Sequence, residues 1–173
     1  MASYFSNNFA AIGANTTLLR GQTNNVGDTH GRLRYKRMEI EFTGAFALNE
    51  VARMGQFRSS DRLVNLYLTT DDLGTVGSLD VGLWLSTPNH DGAVLDADCF
   101  ATIVSVTSAV ARTDILLEST TFAIEYRGKY LWQYLPSSYS VDPVVNFDIG
   151  ILAHAATDAA GTVLLEAIYT AGD

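Results

Sequence analysis

Three histidines and one cysteine are the first residues to test for chemistry. His30, His90 and His154 lie 60 and 64 residues apart, and no H-E-x-x-H or other short metal-binding spacing joins them. There is no G-x-S-x-G elbow to present a serine nucleophile. Cys99 adjoins Phe100 in an apolar stretch, where a thiol packs as a small hydrophobe rather than reacting. A single cysteine also excludes an internal disulfide and a cysteine-cluster zinc site. Gly21 to Gly31 is glycine-rich but lacks the Gly-Lys-Ser/Thr ending of a phosphate loop, so its glycines serve backbone freedom. Asp71, Asp72 and Asp80 flank one turn, and Asp91, Asp96 and Asp98 flank the next. Calcium needs six to eight oxygens, but these positions do not follow the D-x-[DN]-x-[DN]-G loop, and aspartate is an ordinary turn residue. The expectation is no enzyme, no metal and no cofactor.

Two other constellations point to contact rather than catalysis. Tyr130, Trp132 and Tyr134 fall on one face if their segment is a strand. Such a row can stack on sugars or plug an interface, and it can equally be an aromatic ladder within a sheet. The charge distribution is also uneven. Residues 1–60 hold seven basic and four acidic groups, a net of +3, whereas residues 61–173 hold four basic and fifteen acidic groups, a net of −11. Basic density peaks at Arg32, Arg34, Lys36 and Arg37. A short cationic patch on an acidic chain suits docking onto an acidic protein surface, or serves as a solvated edge strand that resists pairing.

The elements that position these residues are strands. Met38, Ile40 and Phe42 alternate with Glu39, Glu41 and Thr43; Leu79, Val81, Leu83 and Leu85 alternate likewise, as do Val145, Phe147, Ile149 and Ile151. Phe122, Ile124 and Tyr126 form a shorter run of the same period. Period two is what a half-buried strand requires. Denser runs at Leu63–Leu68 and Val163–Tyr169 suit strands buried on both faces. Turn residues separate them at Arg58–Asp61, Asp71–Gly74, Pro88–Gly92, Pro136–Ser138 and Asp158–Gly161, and Arg127-Gly128 reads as a tight hairpin. One or two short helices are expected, over Asp96–Ile103 with Asp96 as cap and over Arg112–Leu117. The fold class is therefore all-β, an antiparallel β-sandwich, with the jelly roll one form of it.

Residues 1–31 differ from the rest. They hold five asparagines, two charged residues, and apolar side chains including Tyr4, Phe5 and Phe9 with no sustained period. The reading is an N-terminal arm over 1–31 that orders against another surface, or a lead-in folded along its own domain, followed by a β-sandwich domain over 32–173. No cationic region precedes the mildly apolar start, and no run reaches the ~20 apolar residues of a membrane helix, so a soluble chain without a leader is expected. Across its 173 residues the chain is 47% hydrophobic, enough for a core. Only 17% are charged, against about 25% in ordinary soluble proteins, which suits either surface committed to contacts with other subunits or simply a β-rich chain with many Ser, Thr and Asn. A net charge of −8 argues against a nucleic-acid binder.

The stretch from Met38 to Phe100 resembles the decoration, or cement, proteins of tailed-bacteriophage capsids. The resemblance rests on Thr43-Gly-Ala45, Phe57-Arg-Ser-Ser-Asp-Arg-Leu-Val-Asn-Leu-Tyr-Leu68, Thr70-Asp-Asp-Leu-Gly74, Ser78-Leu-Asp-Val-Gly-Leu-Trp84 and Asp96-Ala-Asp-Cys-Phe100. It covers about a third of the chain. It implies a β-sandwich on the capsid exterior of a virion, made in the host cytoplasm and bound across gaps between major capsid protein subunits. It also implies a homo-oligomer, trimer or dimer, with no direct nucleic acid or membrane partner. On that reading Tyr4, Phe5, Phe9, Arg32, Arg34, Lys36 and Arg37 dock on the capsid. The alternative is a carbohydrate- or receptor-binding β-sandwich module of a phage particle, using the Tyr130, Trp132 and Tyr134 face.

Overall fold

A computed structural model describes residues 33–86, 92–119 and 122–172. The arm over 1–31, with Tyr4, Phe5, Phe9 and His30, lies outside these, as do Arg32, His90 and Asp91. Eight strands run in the order β1 (Leu33–Phe42), β2 (Val51–Arg58), β3 (Arg62–Thr70), β4 (Ser78–Leu85), β5 (Val94–Ser105), β6 (Val110–Asp114), β7 (Asn146–Ala155) and β8 (Gly161–Thr170). They form two four-stranded sheets, ordered β1-β8-β3-β6 and β2-β7-β4-β5. Strands β1 and β8, β2 and β7, β3 and β6, and β4 and β5 are all antiparallel partners. That nesting is a long hairpin rolled over on itself. The sandwich is a jelly roll.

Alternating residues, with one shift of phase at the bulge after Leu63 in β3, fill the space between the sheets. Leu63, Leu66 and Leu68 of β3 and Val163, Leu165 and Ala167 of β8 face Leu79, Val81 and Leu83 of β4 and Phe147, Ile149 and Ile151 of β7, all buried. The β1–β8 register runs unbroken from Leu33↔Thr170 to Phe42↔Gly161. Phase is thus fixed for every β1 residue: Lys36, Met38, Ile40 and Phe42 share the inward side, and Tyr35, Arg37 and Glu39 the outward side. Where β2 passes β1, Gly55 leaves room for Met38, whose sulfur would lie 2.3 Å from any added Cβ.

Two expected helices are strands. Asp96–Ile103 lies within β5, an edge strand whose register against β4 shifts repeatedly. Those irregularities let Cys99, Phe100 and Ala101 all be buried in succession, which imitated an apolar helix face. Arg112–Asp114 completes β6, after which the chain turns. Conversely, the expected strand through Phe122, Ile124 and Tyr126 and the hairpin at Arg127-Gly128 give way to two 3-10 turns, Ile124–Tyr126 and Leu131–Tyr134. Gly128 between them has a φ of +79°, the left-handed conformation glycine allows.

Candidate interaction surfaces

Strand alternation divides the basic stretch of β1. The Lys36 ammonium donates to the Gln56 carbonyl at 2.6 Å and sits 4.6 Å from the Phe57 ring centre. Partial burial holds it below the ordinary lysine pKa, although Asp61 and Asp148 pull the other way. Arg37 points outward and pairs with Glu39 on its own strand. Arg34 shares the inward phase but lies at the end of the sandwich, at a hollow of about 600 Å³ lined also by Gln56, Arg58, Asp61, Asn146 and Tyr169. Asp61 is consumed there, accepting from the Arg58 and Gly172 backbone amides at 2.9 and 3.0 Å. The Arg34 and Arg58 side chains have no hydrogen bond or ion pair among the described residues. Of the basic residues named from sequence, Arg34 is the described one whose charge remains available.

A polar ladder crosses the outward face of the same sheet. The Tyr35 hydroxyl donates to Glu166 Oε1 at 2.6 Å, and Arg112 Nε donates to Oε2 at 2.6 Å. The Arg112 guanidinium lies 3.5 Å from the Tyr67 ring centre. The Tyr35 hydrogen bond, and then that of Arg112, hold Glu166 below the usual carboxylate range, and the same Tyr35 bond raises the phenol pKa. Period two would have found this ladder, because Glu166 interrupts the apolar run of β8 at an outward position.

The aromatic row is split as well. Tyr130 precedes the 3-10 turn at Leu131–Tyr134, whose closing bond runs from the Gln133 amide to the Tyr130 carbonyl at 2.9 Å. Turning three residues per revolution sends Tyr134 inward, fully buried, against Phe100, Phe122 and Tyr126 at ring distances of 5.2 to 5.9 Å. Its hydroxyl donates to the Tyr126 carbonyl at 2.7 Å, and burial raises its pKa. Tyr130 and Trp132 stay half-buried, stacked with centroids 6.4 Å apart. Arg62 caps the stack, 4.1 Å above Tyr130. The expected face of three rings is therefore two rings outside and one in the core. Trp132 also lines a second hollow, of about 520 Å³, with Tyr126, Tyr139, Glu125, Lys129 and Gln133.

The remaining candidates among the described residues are engaged structurally. Asp71 and Asp72 accept from the Thr162 and Gly74 amides at 2.9 Å each. Asp80 accepts from the Ile103 amide at 2.7 Å and lies 2.8 Å from His154 Nδ1, a pairing across 74 residues that no spacing motif announces. Desolvation, then the hydrogen bond with Asp98, pushes Asp96 up to about 6. Cys99 is buried and its pKa raised, chiefly by that burial. Among the described residues no three His, Cys, Asp or Glu side chains gather as metal ligands.

No family model matches the chain, and no curated protein matches it significantly. Solved structures do match. A chain in the capsid of Ralstonia phage GP4 aligns with a TM-score of 0.60 at 20% identity, over 83% of this chain and 86% of that one. A chain in the capsid asymmetric unit of cyanophage Pam1 aligns with a TM-score of 0.50 at 15% identity, over 82% and 86%. Both come from phage capsids. At these identities the likeness establishes a shared fold.

Proposed function

We propose that this chain is a structural virion protein that binds the outer surface of an icosahedral phage capsid and stabilises contacts between major capsid protein subunits. The observation that carries it is the fold: the jelly roll aligns over more than four-fifths of its length with chains from two phage capsids. The local resemblance between Met38 and Phe100 points the same way. Neither catalysis nor a cofactor has a part in this reading.

Contact is supplied by the arm, with Tyr4, Phe5 and Phe9, and by Arg32 and Arg34 at its root, in a homo-oligomer, trimer or dimer. Lys36 and Arg37 contribute less than their sequence position implies, because each already has a partner within the sandwich. Stabilisation follows from mass action. A protein that binds only the assembled shell shifts its stability by about 2.7 kcal/mol per site at one hundred times Kd. Repetition over a lattice makes modest binding sufficient.

The test is the composition of purified particles. A fixed copy number relative to the major capsid protein, with the chain accessible to antibody on intact heads, is the expected result. Its absence from particles, or presence at a few copies, refutes the proposal.

A further inference from the structure

The connection between β6 and β7 spans 31 residues, Ile115 to Val145, and among its described residues it holds two 3-10 turns and no strand. Structureless connections beyond about 12–15 residues are uncommon in compact domains and are usually functional. This one is also rigidly tied down. The amides of Gly128, Leu131 and Trp132 donate to the carbonyls of Leu63, Asp61 and Ser59 at 2.8, 2.8 and 3.2 Å. From inside, Tyr134 anchors it to the core. The result is a fixed platform that presents Trp132, clamped by Tyr130 and Arg62, at a hollow with Tyr126 and Tyr139.

The polar groups at this hollow are unspent. The side chains of Glu125, Lys129 and Ser140 have no hydrogen bond or ion pair among the described residues. Gln133 uses its Oε1 to accept from the Tyr130 amide at 3.0 Å, which leaves its amino group. Around half-buried rings, then, stand an anionic acceptor, a cationic donor, an amide donor and a hydroxyl. The volume of about 520 Å³ falls within the ~300–1,000 Å³ usual for ligand sites. We propose that the Trp132 hollow is a saccharide-binding site. A pyranose offers C–H bonds to an aromatic face and hydroxyls that both donate and accept, and so needs a ring with both kinds of partner beside it. The Glu125 carboxylate disfavours a phosphate, and the density of polar groups disfavours a purely apolar ligand. This site is separate from the docking role and stands or falls without it.

The full chain is titrated with glucose, galactose, N-acetylglucosamine and rhamnose, and separately with a bacterial surface polysaccharide. Tryptophan emission and saturation-transfer NMR are the readouts. The chain has two tryptophans, and Trp84 is buried, so an emission change reports on Trp132. Saturable binding of at least one probe is expected. Free sugar and polysaccharide arms distinguish a free ligand from a chain-borne one. Trp132→Ala should weaken binding by roughly tenfold or more, and Glu125→Gln, at an exposed position, by about fivefold with an unchanged melting temperature. Ser140→Trp, which fills the hollow from an exposed position, should abolish binding while the fold is retained. No binding by any probe, or binding that survives Glu125→Gln and Ser140→Trp, overturns the proposal. Shell binding by Ser140→Trp reads the docking role separately.

Discussion

Two exposed regions of this sandwich spend their polar groups in opposite ways. Around Glu166, four charges and two phenols are satisfied within the domain: Arg37 by Glu39, and Arg112 and Tyr35 by Glu166, with Tyr67 under the guanidinium. Around Trp132 the rings are held as firmly, but Glu125 and Lys129 have no partner among the described residues. A charged face is thus not by itself an interaction surface. What matters is whether its charges have been answered by neighbouring strands. Residues of β1 that look most cationic in the sequence are largely answered, as is Arg127 by Asp114 on the long β6–β7 connection, whereas Glu125 and Lys129 on that connection are not.

The sharpest way to break this comparison is to remove its anchor. Tyr134→Ala deletes a buried ring that contacts three other aromatics and should cost about 3–5 kcal/mol, the usual range for large aromatic truncations. Denaturant melts check it. Trp132→Ala, on the same turn but only half-buried, should cost less. Equal losses at the two positions would mean that Trp132 is a core residue rather than a presented one.

An intermediate effect lies in pH. Asp96 has its pKa raised to about 6 in the fold, so its protonated form is favoured there. Its contribution is fully present below the free-carboxyl value near 4 and is lost as pH rises through 6. Stability should fall by about 1 kcal/mol between pH 4 and pH 7 after allowance for solvent screening, and Asp96→Asn should flatten that slope. Glu166 works in the opposite sense. Its lowered pKa adds stability above the ordinary carboxyl range, which is lost as pH falls through its folded value. Chemical denaturation from pH 3 to pH 8 separates the two, because only the acid limb should respond to Glu166→Gln.

The smallest effect sharpens the answered side. Glu166→Gln should bring the Tyr35 phenol back toward the ordinary tyrosine value, because the Glu166 carboxylate is the main cause of its elevation. Ultraviolet titration of tyrosinate reads this directly. An unchanged titration curve would show that the ladder is not formed in solution.

Much of the sandwich was legible because period two is strong where one side of a strand meets a core. The runs through Met38–Phe42, Leu79–Leu85 and Val145–Ile151 all lie in or next to strands, but β4 and most of β7 are buried on both faces. The denser runs of β3 and β8, expected to be buried on both faces, bury one and half-expose the other. Strand order was not legible, since pairing partners such as β1 and β8 lie more than a hundred residues apart. The errors fall where period is disturbed. Bulges in β5 buried three successive residues and imitated a helix, and the aromatic spacing of Tyr130, Trp132 and Tyr134 imitated a strand although a 3-10 turn carries it. For the candidate sites, sequence located the cationic stretch and the aromatic row but could not tell answered from unanswered charges. That distinction depends on Gln56, Glu166 and Arg62, all contributed by other strands.

Docking of this protein on a capsid exterior can be read by adding it back to expanded heads that lack it. Full-length chain and a variant without residues 2–30 are titrated onto heads at low and high salt, with bound protein measured by co-sedimentation and head rupture followed by heating. Saturable binding of the full-length chain at a fixed ratio to capsid subunits, a higher rupture temperature, and strongly weakened binding of the truncated chain, which still folds, are expected. Salt should weaken association, and neutral substitutions of Arg32 and Arg34 should reduce that dependence more than those of Lys36 and Arg37. A full-length chain that neither saturates the heads nor raises their rupture temperature would rule out docking on the capsid exterior.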